Sequence, residues 1–154
     1  MKRTLVTIAI AVVTAPVQST AQPSPATSSR LSPVQAVINA AEMPRGIGGV
    51  FEMVVRATGR QDGFLYLNSE KDYRDPRNLT IVIAPPQEQA LVERLGQPIE
   101  NHLVRKVIAV RGVARKTRID FTADGRPTGK YYFQTHLVLR SARDLTVEGE
   151  RSIP

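Results

Sequence analysis

The dipeptide Pro85-Pro86 most narrows the folds open to this chain. Tandem proline cannot continue a strand ladder, because it has no N–H to donate. It does fit the first turn of a helix, where that N–H has no partner anyway. The pair therefore closes the apolar run 79–84 (LTIVIA) and opens a helix that Gly96 ends. Ala90, Leu91 and Leu95 are its candidate core contacts. The pattern before it is β-like. Residues 50–57 (VFEMVVRA) are rich in strand formers and closed by Thr58-Gly59. Gln61-Asp62-Gly63 reads as a turn into residues 64–68, where Leu65 and Leu67 share one face and Phe64, Tyr66 and Asn68 the other. The charged stretch 69–78 (SEKDYRDPRN) reads as a loop. After the helix, residues 98–103 lead into the longest strand, 104–117, with Gly112 inside it as a bulge or sharp bend. Residues 123–130 (ADGRPTGK) form a hairpin loop before a strand at 131–140, and residues 145–147 can add a short terminal strand.

The order is β-β-β-α-β-β. A mainly β chain with this order and a helix between strands 3 and 4 is predicted to be a five-stranded, OB-fold-like Greek-key barrel. A glycine inside a long strand suits a small barrel, whose strands bend sharply. An SH3-like barrel or other small α+β roll is the competing architecture, and it offers no place for the helix after Pro85. A short N-terminal helix precedes the barrel. Ser32 is its N-cap, Pro33 its first residue, and Val34, Ala36, Val37, Ala40 and Ala41 recur at helical spacing before Met43-Pro44. It is placed to plug or cap the domain.

The N-terminus carries an address. Met1-Lys2-Arg3 is a basic start, residues 5–13 are apolar apart from Thr7, and Ser19-Thr20-Ala21 is a small-x-small cleavage site. That is the pattern of a secretory signal peptide over residues 1–21. A spanning helix needs roughly 20 apolar residues, and this run is much shorter. The Pro/Ser/Thr-rich segment 22–31 then reads as a flexible linker and 32–154 as a single domain. The expectation is an exported protein, with the periplasm favoured over full secretion. The chain has no cysteine, which excludes disulfides, thiol nucleophiles and a lipid anchor on cysteine. No later stretch is apolar enough to span a bilayer, so no membrane span is expected in the mature chain.

The formal charge is +7, and removing Lys2 and Arg3 leaves about +5. A basic domain favours anionic partners, but most of these cations are scattered. The densest group is Arg111, Arg115, Lys116 and Arg118, where residues 113–117 are expected to project as a hairpin arm. Charge on such an arm also serves to protect a strand edge.

Catalytic constellations are thin. His102 and His136 lie far apart, and Ser69 stands in no nucleophile motif. No phosphate-cradling loop, H-E-x-x-H or EF-hand pattern exists. The chain is therefore read as non-enzymatic, with no catalytic residue, no metal ligand and no cofactor. The competing reading is a Ca²⁺-dependent phosphodiesterase of the staphylococcal-nuclease type, which needs clustered carboxylates and phosphate-clamping arginines. Asp62, Glu70, Asp72 and Asp75, near Arg74 and Arg77, supply the residue types without a recognisable spacing. The favoured site is a binding face. OB-folds bind across strands 2 and 3 and the loops beside them, and single-strand binders pair aromatic platforms with a basic groove. The candidates are Arg56, Arg60, Tyr66, Asn68, Tyr73, Arg126 and Lys130. The partner is an unidentified protein or anionic ligand, with nucleic acid an option the sequence does not favour.

Three stretches carry a family likeness: Ile47-Gly48 entering the first strand; Phe64-Leu65-Tyr66-Leu67-Asn68 followed by Asp72-Tyr73; and Val107, Val110 and Gly112 in the fourth strand. On these, residues 46–147 resemble small exported bacterial OB-fold domains of uncharacterised type. The resemblance implies a fold and an exported setting, and no activity.

Overall fold

The computed structural model describes residues 29–148. The expected signal peptide and most of the expected linker lie outside the described residues. The first helix, α1 (Pro33–Glu42), starts as its sequence dictates. Ser32 Oγ accepts from the Gln35 N–H, and the Gln35 side chain accepts from the Ser32 N–H at 2.9 Å, a reciprocal capping box. Ala36 and Ala40 are its buried residues. Helix α2 (Pro85–Leu95) opens on the tandem prolines and ends at Gly96, whose φ of 71° and N–H to Val92 O at 2.8 Å make a left-handed cap. Leu91 is buried and Leu95 packs at the core edge, whereas Ala90 points to solvent.

The strands are β1 (Ile47–Val54), β2 (Ala57–Gln61), β3 (Phe64–Asn68), β4 (Leu79–Ile83), β5 (Val107–Ala123), β6 (Arg126–Val138) and β7 (Leu145–Val147). They form one sheet in the order β1-β5-β6-β4-β3-β2, with β7 also on β5. All pairings are antiparallel except β4 with β6. The two ends of this path, β1 and β2, are joined by Val55 and Arg56 alone. The Val55 N–H bonds Lys106 O at 3.0 Å, on the β5 side. The Arg56 N–H bonds Asn68 O at 2.8 Å, on the β3 side. The sheet therefore curls around its core into a barrel-like shape. Phe51, Leu65, Leu67, Ile81, Ile83 and Leu137 fill the interior, and α1 closes it through Ala36.

Seven strands stand where five were expected among the described residues. The first expected strand is two: hydrogen bonding changes partner at Val55–Arg56, and the chain continues extended through Thr58-Gly59, where the sequence places its end. Asp62-Gly63 makes the β2–β3 turn with both φ angles positive, 51° and 81°. The terminal strand β7 is present.

The other differences cluster around β5 and β6. A short helix, α3 (Ile99–His102), occupies the expected lead-in and buries Ile99. The expected eight-residue loop 123–130 is a two-residue turn, Asp124-Gly125, again with positive φ at both positions. Pro127 and Gly129 read as breakers, yet Pro127 pairs with Thr122 on a ribbon of two edge strands, a place where a strand tolerates proline. Gly112 is not a bulge, for the β1–β5 register runs unbroken through the Gly49–Gly112 pair. A Cβ there would meet Leu137 Cδ2 at 2.8 Å, so this glycine exists to seat Leu137. The register shift lies instead between Asp120 and Thr122. Ala114 is buried in the barrel, so the projecting arm begins beyond it, not at residue 113.

Candidate binding groove

Strand alternation decides which side chains face outward. With Leu65 and Leu67 buried inside, Phe64 and Tyr66 turn out. Cross-strand pairing extends that outer face as rows: Gly59–Tyr66–Val82, and Ala57–Asn68–Thr80–His136. On β6 the same side carries Gln134 and Tyr132, opposite Thr117 and Ile119 of β5. A groove of about 490 Å³ lies over these strands. Tyr66, Tyr73, Tyr132 and His136 line it, with Lys71 and Arg60 among its charged residues.

The floor is held by hydrogen bonds. Asn78 Nδ2 donates to Thr80 Oγ1 at 2.9 Å and to Asn68 Oδ1 at 3.1 Å, and Thr80 Oγ1 donates to Asn68 Oδ1 at 2.9 Å. Asn78 Oδ1 accepts from the Glu70 N–H at 3.1 Å, and Ser69 Oγ accepts from the Leu79 N–H at 2.9 Å. Asn68, Ser69, Asn78 and Thr80 are all buried, and among the described residues no buried side-chain polar atom is left unpaired. The charged loop is thus tied down at both ends. A second set of bonds fixes its middle. Gln134 Nε2 donates to Tyr73 O at 3.0 Å and to the Tyr132 hydroxyl at 3.1 Å. Gln134 Oε1 is left as acceptor for His136 Nε2 at 2.7 Å, which makes Nε2 the protonated nitrogen. Burial lowers the His136 pKa, because a desolvated ring disfavours the charged form. Its ring centroid stands 6.4 Å from that of Tyr66. Burial, and then the neighbouring Tyr73, raise the Tyr132 pKa.

The expected site residues separate into three groups. Tyr66, Tyr73 and Asn68 come together at the groove; Asn68 sits under it as a hydrogen-bond partner, being 5 % exposed. Arg56 is exposed beside them, 3.9 Å from Glu70. Neither Tyr66 nor Arg56 is buried under α1. Arg60 reaches the groove wall, but its guanidinium is occupied: it donates to Glu88 at 3.1 Å and to Glu100 at 2.7 Å, which raises its pKa. It ties β2 to α2 and α3. Arg126 and Lys130 sit at the tip of the β5–β6 hairpin and do not line the groove.

Asp72 and Asp75 serve the loop itself. Asp72 Oδ1 accepts from the Arg74 N–H at 2.9 Å. Asp75 takes the Arg77 guanidinium at 2.8 Å and the Arg77 N–H at 2.9 Å, and its pKa falls to about 2 for those reasons. Among the described residues no three carboxylates or imidazoles converge on one point. Sequence reasoning missed Lys71, Tyr132 and Gln134 as groove residues. The alternation of Tyr132, Gln134 and His136 along β6 was visible, but the parallel pairing that sets β6 beside β4 was not.

No protein-family model matches the chain, and no curated protein matches it. Among solved structures it is similar to the aspartyl-tRNA synthetase from Entamoeba histolytica, at 10 % identity and a TM-score of 0.46 over 90 % of this chain and 25 % of that one. It is also similar to a chain assigned as an aspartyl-tRNA synthetase from Leishmania major Friedlin, at 10 % identity and a TM-score of 0.43 over 89 % of this chain and 23 % of that one. The chain thus spans about a quarter of the length of those proteins. A likeness this weak carries no argument about the groove.

Proposed function

We propose that this protein is an exported, non-enzymatic binding module on an OB-fold barrel, and that its groove holds an anionic ligand with flat rings. Single-stranded nucleic acid is the class that fits best. The topology supports the fold. Taken as one bent strand, β1 and β2 reduce the barrel to five strands, with α2 between the third and fourth. The parallel β4–β6 pair then closes a Greek-key path. β7 is an addition at the end.

The observation that carries the ligand class is the groove lined by Tyr66, Tyr73, Tyr132 and His136. Aromatic faces beside a strand surface give bases a platform, and every base has a face to stack. Lys71 lines the groove and supplies positive charge for a backbone phosphate, and Arg56 stands nearby beside Glu70. Titration of a labelled single-stranded oligonucleotide tests this. Affinity is expected to rise as salt falls, because phosphate contacts release counterions. Tyr66→Ala is expected to weaken binding by about tenfold, in line with ~1–3 kcal/mol per stacked base. No binding at low salt removes the nucleic-acid reading.

Export has its own test. The mass of the protein recovered outside the cytoplasm is expected to match a chain starting at Gln22. A cytoplasmic product retaining Met1 contradicts it.

A further inference from the structure

Exposed large apolar side chains recur on two neighbouring elements. Val34, Ile38 and Met43 lie on or just after α1, and Tyr131 and Phe133 on the β5–β6 hairpin, whose Phe121 packs instead on Tyr132 on the groove side. These two elements meet. α1 closes the barrel face to which Ala114 and Leu137 belong, and Arg115 Nε donates to Arg45 O at 3.2 Å. The pairing register carries that same face outward along the hairpin as Lys116, Arg118 and Asp120 with Phe133 and Tyr131 across from them, Arg118 also holding Asp120 at 2.7 Å. This is the side turned away from Tyr132 and the groove. Tyr131 is 51 % exposed and Phe133 47 % exposed, so the hairpin has no core beneath it there.

Tyr131 and Phe133 are each paired with a cation. Lys116 Nζ lies 4.3 Å from the Phe133 centroid and Arg118 Cζ 4.1 Å from that of Tyr131. Between Arg115 and Gln134 the hairpin carries five cations against two carboxylates. Apolar patches of this kind mark an interaction surface.

We infer that the far face of the β5–β6 hairpin, with the exposed stripe of α1, docks on an anionic lipid surface. Two observations favour lipid over a polynucleotide on this face. Val34, Ile38 and Met43 offer no stacking surface to a base but match hydrocarbon. The rings already have one face covered by their own cations, which leaves poor base platforms. Amphipathic rings with adjacent Lys and Arg fit the headgroup level, where rings insert and cations meet lipid phosphate. The inference stands independently of the groove reading.

The test is co-sedimentation with vesicles of phosphatidylcholine alone and of phosphatidylcholine with phosphatidylglycerol. Both the full chain and the chain from Gln22 are used, so that the apolar run 5–13 is not mistaken for the docking face. The expected result for the chain from Gln22 is binding to the phosphatidylglycerol vesicles only, weakened at high salt as screening shortens. Tyr131→Thr with Phe133→Thr is expected to reduce that binding by at least about tenfold while keeping strand propensity. Lys116→Glu with Arg118→Glu is expected to abolish it, and both variants are expected to melt cooperatively. Equal binding to phosphatidylcholine alone, no binding to phosphatidylglycerol vesicles at low salt, or unchanged binding of both double variants overturns the inference. So does a result in which the double variants lose oligonucleotide affinity instead of vesicle affinity.

Discussion

Strand β6 passes through two environments, and its side chains behave differently in each. From Gln134 to Leu137 it lies over the barrel core. There Gln134 and His136 are locked to each other, to Tyr132 and to the 69–78 loop. From Tyr131 to Phe133 the same strand runs along the free hairpin, where Tyr131 and Phe133 stay exposed and touch mainly their own neighbours, each other and the cations across the ladder. The difference teaches where preorganisation comes from. A strand with a core beneath it can hold polar side chains in one geometry, because burial makes an unmade hydrogen bond costly. A two-stranded ribbon without a core is marginal by itself and offers residues for contact rather than for stability.

That contrast orders the expected effects of substitution. The largest belongs in the core. Gly112→Val drives two methyls into Leu137, whose Cδ2 already lies 2.8 Å from a Cβ placed there, and is expected to cost about 3 kcal/mol, as overpacking does. A melting curve unchanged from the parent would show that Leu137 yields freely. Next is Asn78→Ala, which strips partners from Asn68 and Thr80 and frees one end of the loop carrying Tyr73. About 2 kcal/mol is expected from urea unfolding, with oligonucleotide affinity falling as well. Loss of stability with full affinity would separate the network from the groove.

Arg60→Ala is a smaller step. Its ion pairs with Glu88 and Glu100 are partly exposed and screened. About 0.5–1 kcal/mol is expected, shrinking as salt is added. Because both carboxylates already hold the guanidinium, oligonucleotide binding is expected to change little. A large loss of affinity would return Arg60 to the ligand site. Smallest is the cost of Tyr131→Thr with Phe133→Thr, expected within about 0.5 kcal/mol per site because nothing is packed beneath. A cooperative loss of several kcal/mol would break the comparison itself.

The groove also has a pH signature. Burial holds the His136 pKa below its ordinary value of 6.5, so the unfolded chain takes up a proton before the folded one does. The corresponding stability is complete above the ordinary value and is lost as pH falls through the lower folded one. His136→Gln is expected to flatten that part of the stability profile. An unchanged profile would mean that some other group sets it.

Much of the fold was legible in the sequence because local rules agreed with the tertiary result. Ser32-Pro33 and Pro85 to Gly96 set two helices by caps and prolines. Leu65 and Leu67 against Phe64 and Tyr66 divided inside from outside by alternation. What stayed hidden depends on contacts distant along the chain. Seating Leu137 is a reason for Gly112 that no window around residue 112 contains. Pro127 and Gly129 look like loop residues until their strand is seen to be an unsupported ribbon. At the site, Tyr66 and Tyr73 were within reach because they are close in sequence. Tyr132, Gln134 and His136 join them only through the parallel β4–β6 pair, whose partners, such as Thr80 and His136, are 56 residues apart in sequence.

The central claim is that the floor built by Tyr66, Tyr132 and His136 holds the ligand while Arg126 and Lys130 at the hairpin tip do not. The most direct measurement is a titration of a labelled single-stranded oligonucleotide into the parent, Tyr66→Ala with Tyr132→Ala, and Arg126→Ala with Lys130→Ala, at low and high salt. The account predicts binding that weakens with salt, near-complete loss in the tyrosine pair and only a small loss in the tip pair. Binding that survives the tyrosine substitutions, or that vanishes with the tip cations alone, contradicts it.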